Sequence, residues 1–321
     1  MRLIAPSTLK RQGILGMNRR NLDYIGQHNA RHLFPLVDNK IQTKRLAREY
    51  GVPTPTLRHV LETQHSIRDL GERLKGLDGF AIKPAKGAGG KGIMVIRKVS
   101  DGLFIKGSGQ TVDLDGLKRH CSNILAGLHS LAGAPDSAII EDLIEPDPYF
   151  RDLSVEGVPD IRVIIFRGIP VMAMLRLSTH ASDGKANLHQ GAIGVGLDLA
   201  SGHCAHAVQY SDRVLAHPDT GVPLDRIAIP GWENLLTLAA SCHDLSGLGY
   251  LGADLVVDRN RGPLLLELNA RPGLSIQVAN GEGLLPRLHR VEALERVSAD
   301  AAERAGFAMA NFARQPIRPT A

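Results

Sequence analysis

Residues 250–273, YLGADLVVDRNRGPLLLELNARPG, constrain this chain more than any other stretch. Two apolar runs flank a polar turn and read as a β-hairpin. Within the runs, the only carboxylate or carboxamide side chains are Asp254, Glu267 and Asn269. Alternate residues of a strand share a face, so Leu264, Leu266 and Leu268 are expected to point one way and Leu265, Glu267 and Asn269 the other. With the turn centred between Asn260 and Arg261, counting outwards pairs Asp254 with Glu267. Directly opposed Cβ atoms lie about 4.5–5.5 Å apart, close enough for both carboxylates to grip one ion, with Asn269 adding a neutral oxygen. Hard oxygen donors without His or Cys suit Mg²⁺, with Mn²⁺ as the alternative. The plainer reading is a hairpin whose polar face meets water.

A second hairpin surrounds a glycine cluster. FAIKPAKGAGGKGIMVIRKV, residues 80–99, is apolar on both sides of GAGGKG, which matches the G-x-G-x-x-G pattern. A dinucleotide fold requires a helix to open after the last glycine. Here the strand-like IMVIRKV follows instead. A phosphate-binding Walker loop also fails, because Gly92 stands where Ser or Thr should follow Lys91. What remains is a glycine flap between antiparallel strands, able to lay the N–H groups of Gly87, Gly89 and Gly90 over phosphates, with Lys83 on the entering strand. A loose hairpin loop is the alternative.

The rest of the chain supplies the frame. DNKIQTKRLAREY, residues 38–50, has capping residues at its start and Gly51, Pro53 and Pro55 after it, so it is expected to be a helix carrying Lys40 and Lys44 one turn apart. A helix is expected near 64–75, a short strand at 137–146, and a boundary at Pro146. DIRVIIFRGIPVMAMLRLS reads as a hairpin turning at Arg167–Gly168, NLLTLAASCHDL as a helix, and 291–313 as a closing helix before a Pro-containing tail. Strands, then a helix, then strands give an α+β chain. The expected segments are a basic one at 1–52, a central lobe at 53–145 and a C-terminal lobe at 146–321.

Composition narrows the functions. The chain has 321 residues and a formal charge of +5, and residues 1–48 contain ten Lys and Arg against two Asp. Basic character therefore sits in the first segment alone. Without interleaved aromatics it reads as a solvated helical face rather than a nucleic-acid arm. With no continuous apolar signal region secretion is not expected, and the Arg-rich, acid-poor start suits a transit peptide only superficially. No run offers the roughly 20 apolar residues a membrane span needs. Three distant cysteines, with no zinc spacing, point to a reduced cytoplasm.

In combination these motifs resemble the ATP-grasp superfamily over roughly residues 38–283. DNKIQTKRLAREYGVPTP is similar to the segment that supplies the first ATP lysine, implying Lys40. FAIKPAKGAGGKGI is similar to the second-lysine strand and flap, implying Lys83. IIEDLI occupies the place of the adenine hinge, implying Glu141 and the backbone near Leu143 and Ile144, with Glu145 or Asp147 on the ribose. DIRVIIFRGIPVMAMLRLS followed by KANLHQGA resembles the RimK-like α-L-glutamate ligases and implicates Asp160, Arg162, Arg176, Asn187 and His189. GADLVVDRNRGPLLLELNARPGL resembles the magnesium hairpin, implying Asp254, Glu267 and Asn269 as ligands, while His180, Lys185 and Arg271 are candidates for an acidic substrate. Such ligases normally carry a full α/β domain before the first lysine, whereas here about forty residues precede it.

The resemblance implies an ADP-forming carboxylate–amine ligase that makes an amide through an acyl phosphate, with Arg176 stabilising the transferred phosphoryl group. An α-L-glutamate ligase is the narrower form. Its partners would be a carboxylate and an amine such as an amino acid or peptide, with no nucleic acid, no membrane span, and homo-oligomerisation left open. A small-molecule kinase or a non-catalytic nucleotide-binding protein on the same scaffold are the alternatives.

Overall fold

The computed structural model describes residues 5–87, 89–100, 102–130, 133–155 and 157–314. Ala88 of the glycine cluster and the tail from residue 315 lie outside them. The chain divides into two compact units: one takes Asp38–Arg45 and Thr54–Glu145, the other the described residues of Met1–Val37, Leu46–Pro53 and Pro146–Ala321. The basic segment expected at 1–52 is therefore split between the two. Asn29 gives a physical reason, because its buried carboxamide donates to the Tyr250 and Ala270 carbonyls and accepts from the Tyr250 N–H. That ties the first residues to the strands that follow Pro146.

The smaller unit is a six-stranded sheet with the order β1-β6-β2-β3-β4-β5, every neighbouring pair antiparallel. Its strands are β1 (Leu57–Leu61), β2 (Phe80–Pro84), β3 (Met94–Ser100), β4 (Leu103–Lys106), β5 (Thr111–Val112) and β6 (Ala138–Asp142). One face packs Phe80, Ile82, Ala138 and Ile140 against Leu117, Cys121 and Ile124 of the helix Leu114–Leu125. By strand alternation the other face carries Ala81, Lys83, Ile139 and Glu141. The helix expected near 64–75 is two short ones, Gln64–Arg68 and Leu70–Arg73.

The larger unit holds a seven-stranded antiparallel sheet, order β11-β10-β9-β8-β7-β12-β13. The strands are β7 (Asp160–Phe166), β8 (Ile169–Leu177), β9 (Ile193–Leu197), β10 (Cys204–Gln209), β11 (Asp212–Arg213), β12 (Tyr250–Asp258) and β13 (Gly262–Asn269). The helix Trp232–Ser246 packs on β7, β8, β12 and β13 with Leu235, Leu236, Ala239 and Cys242 in the core. The closing helix is shorter than expected: Leu285–Glu292 and Ala301–Asn311 are separate, and 293–300 is not helical.

Both long hairpins contain a bulge that the sequence did not reveal. β7 and β8 turn at Arg167 (φ 49°) and Gly168 (φ 79°), the left-handed pair of a two-residue hairpin loop. The register then slips by one residue between Ile164 and Ile165, so Asp160 comes to lie opposite Arg176. In β12–β13, Asp258 pairs with Gly262, so the turn centres on Asn260 rather than between Asn260 and Arg261. A slip between Asp254 and Leu255 leaves Leu266 unpaired and restores the Asp254–Glu267 pairing. It also changes the faces: Leu265, expected beside Glu267, is buried in the core, while Leu266 is only half-buried.

Candidate active site

In the smaller unit the polar side chains converge on Glu141. The helix Lys40–Glu49 opens with the Asn39 side chain accepting from the Ile41 N–H, and one turn separates Lys40 from Lys44. Lys44 Nζ lies 2.8 Å from a Glu141 carboxylate oxygen and donates to the Pro55 carbonyl at 2.6 Å. Lys83 takes the other Glu141 oxygen. Burial alone would raise the Glu141 pKa, but Lys83 and Lys44 hold it below the usual carboxylate value. Lys40 Nζ instead donates to the Gly87 carbonyl at 2.8 Å, and its own N–H donates to Ala85. Leu143 and Ile144 follow directly on β6, both half-buried. Glu145 is exposed, and Asp147 accepts from the Tyr149 N–H.

The foot of the glycine loop is pinned. Asp136 accepts from the Lys86 and Ser137 N–H groups, and Gly87 lies so close to Pro84 that a Cβ there would stand 2.3 Å from the ring. Gly89, Gly90 and Gly92 all have positive φ, which a side chain would disfavour.

In the larger unit the charged row runs across four strands. Register places Asp160 opposite Arg176, Arg162 opposite Asp254, and Asp254 opposite Glu267. Arg162 grips Asp254 through Nε (2.7 Å) and Nη2 (2.5 Å). Arg176 grips Asp160 with both Nε and Nη2 at 2.5 Å, and Nη2 also reaches Asp254 at 2.8 Å. Burial opposes the Arg176 charge, yet Asp160 and Asp254 more than offset it and raise its pKa. Burial would likewise raise Asp254, but Arg162 and Arg176 keep it ionised and well below its ordinary value. Asp160 responds differently: burial, reinforced by the Asp254 charge and only partly offset by Arg176, pushes it up to about 6.

The other sequence candidates have contacts of their own. Asn187 is used locally, its side chain accepting from the His189 N–H, and His189 is exposed. The Arg271 guanidinium lies over the Phe34 ring, 5.0 Å from its centroid. Lys185 pairs with Asp183 at the surface, and the His180 N–H donates to Asp219. Sequence reasoning passed over Lys44; its only signal was the one-turn spacing from Lys40.

The residues expected to hold a metal can be tested by their donor atoms. Among the described residues no group of three His, Cys, Asp or Glu could hold an ion. The candidate set is instead two opposed carboxylates and a carboxamide. A carboxylate offers about four lone-pair positions, and the two guanidinium groups occupy three on Asp254, leaving one on Oδ1. Asn269 Nδ2 is buried without a hydrogen-bond partner. Rotating that carboxamide would aim an oxygen where the unpaired nitrogen points. This donor set fits a hard divalent cation.

Two antiparallel sheets, one with a glycine loop and paired lysines and the other with an acidic hairpin beside two arginines, define the ATP-grasp class. The family model described as sugar-transfer associated ATP-grasp matches residues 19–293, and the chain belongs to that family. No curated protein sequence matches the chain. Among solved structures it is similar to the ATP-grasp ligase PsnB complexed with minimal precursor, at 15% identity and a TM-score of 0.44, covering 87% of this chain and 63% of that one. It is also similar to the D-cycloserine synthetase DcsG, at 17% identity and 0.45, covering 85% and 71%. D-alanyl-alanine synthetase A from Vibrio cholerae is a third, at 11% identity and 0.46, covering 87% and 66%. The chain thus spans less than two thirds of the length of the PsnB structure. No helix among the described residues is long and apolar enough to cross a membrane.

Proposed function

We propose that this protein is an ATP-dependent carboxylate–amine ligase working through an acyl phosphate. The observation that carries the reading is the transverse row Glu267–Asp254–Arg162 with Arg176–Asp160 beside it, in a chain of the ATP-grasp family. Lys83, with Lys40 and the N–H groups of Gly87, Gly89 and Gly90, offsets phosphate charge, while Glu141 and the backbone at Leu143 and Ile144 meet the adenine. Asp254, Glu267 and Asn269 would hold Mg²⁺, which supplies charge neutralisation at the phosphate oxygens when bound. Arg176, kept protonated by Asp160 and Asp254, stabilises negative charge on the transferred phosphoryl group and then on the tetrahedral adduct. Its Nη1 makes no bond to either aspartate and is the face it would offer.

Arg162, His189 and Arg271 are the proposed contacts to an anionic acid or its acceptor, and Asn187 is a proposed contact to the nucleotide. A glutamate-like acid is the narrower proposal, supported by the order DIR, LRLS, NLH in residues 160–189. Three thiols, none in a disulfide, fit a reducing compartment, the cytoplasm. Incubating the protein with Mg²⁺-ATP and a pool of acids and amines, then identifying products by mass spectrometry, tests the reading. An amide with ADP and phosphate supports it; a phosphorylated alcohol would make the protein a kinase on this scaffold.

A further inference from the structure

Glu141 is 2% exposed and has two ammonium partners where a single ion pair would need one. The two partners are not equivalent. The Lys44 side chain is 7% exposed and its Nζ is also anchored on the Pro55 carbonyl. The Lys83 side chain is 14% exposed and stands on the strand that runs directly into the glycine loop. A buried carboxylate with one partner cannot release it without becoming an unpaired buried charge, which is strongly unfavourable. With two partners it can release one and stay neutralised.

We infer that Lys44 is a positioning residue: as the permanent counter-ion of Glu141, it lets Lys83 exchange that carboxylate for a nucleotide phosphate. The inference rests on the nucleotide-binding part of the function proposed above. Lys44 itself touches no phosphate in this scheme. Its effect is to make the Lys83–Glu141 pair reversible. Without Lys44, Lys83 is the only ammonium left to Glu141 and stays with it, so nucleotide binding has to break a pair that nothing replaces.

A double-mutant cycle read by calorimetric titration with Mg²⁺ and a non-hydrolysable ATP analogue tests this. Lys44→Met should weaken binding about tenfold with Glu141 present and about twofold or less in the Glu141→Gln background, because the competing carboxylate is then gone. A role that does not act through Glu141 would give the same loss in both backgrounds and would overturn the inference. Should Lys44→Met not fold, the milder pair Lys44→Arg and Lys44→Gln repeats the comparison. Lys44→Arg should keep the native affinity, and Lys44→Gln should lose it only while Glu141 is present; equal affinities for the two would overturn the inference. A wild-type protein that binds no nucleotide would sink the functional reading itself, whereas nucleotide binding with no coupling in the cycle would sink this inference alone.

Discussion

Asp254 and Glu267 face each other across one hairpin, but their surroundings differ. Asp254 is 2% exposed and gripped by two guanidinium groups, so it is a fixed anion. Glu267 is half-buried. Glu267→Gln keeps the shape and removes one charged donor, so folding should be nearly native while turnover collapses and the Mg²⁺ requirement rises. Steady-state rates across a Mg²⁺ titration check this, and a variant indistinguishable from wild type at limiting Mg²⁺ removes the metal assignment. Glu141 supports a pH prediction. Lys83 and Lys44 hold its folded pKa below the ordinary carboxylate value of 4.5. A depressed carboxylate contributes stability that is full above its unfolded pKa and is lost as pH falls through the folded one. Urea unfolding of wild type and Glu141→Gln should therefore differ at pH 7 and converge as pH drops below 4.5. A difference that persists unchanged at pH 3 would show that the Glu141 charge contributes nothing.

Elements explain what was legible in the sequence and what was not. The Asp254–Glu267 pairing was reached from the sequence by counting outwards from a turn placed half a residue off; the bulge at Leu266 compensated for the error. Bulges are set by packing on a twisted sheet rather than by local residue type, so no sequence pattern announced this one. The same holds for β7–β8, where counting from Arg167–Gly168 would pair Asp160 with Leu175. The slip at Ile164–Ile165 gives Arg176 instead. Faces were therefore read correctly for Glu267 and wrongly for Leu265. The glycine loop was legible because glycines at positive φ follow backbone demands that local sequence encodes. Its proposed phosphate role predicts that the amides of Gly89 and Gly90 gain hydrogen-exchange protection when Mg²⁺ and a non-hydrolysable ATP analogue are added. Protection unchanged by the nucleotide would count against a phosphate cradle.

Across the whole molecule, the three hairpins were written in the sequence, while the order of the strands in the two sheets and the grouping of the N-terminal residues were not. Asn29 hydrogen-bonds with residues more than two hundred positions later, a contact that no local pattern encodes. Substrate identity is hidden for the same kind of reason, since no local pattern in the sequence says which acid a set of basic and amide side chains would accept. The reaction class is open to direct test. Under the proposed mechanism the intermediate is a mixed anhydride, and hydroxylamine, a small strong nucleophile, replaces the natural amine. With Mg²⁺-ATP, hydroxylamine and a panel of carboxylic acids beginning with glutamate-like acids and peptides ending in a free carboxylate, a hydroxamate should accumulate with ADP and phosphate in equal amounts. ADP formed together with a stable phosphate ester of an alcohol, and no hydroxamate with any acid, would contradict the account.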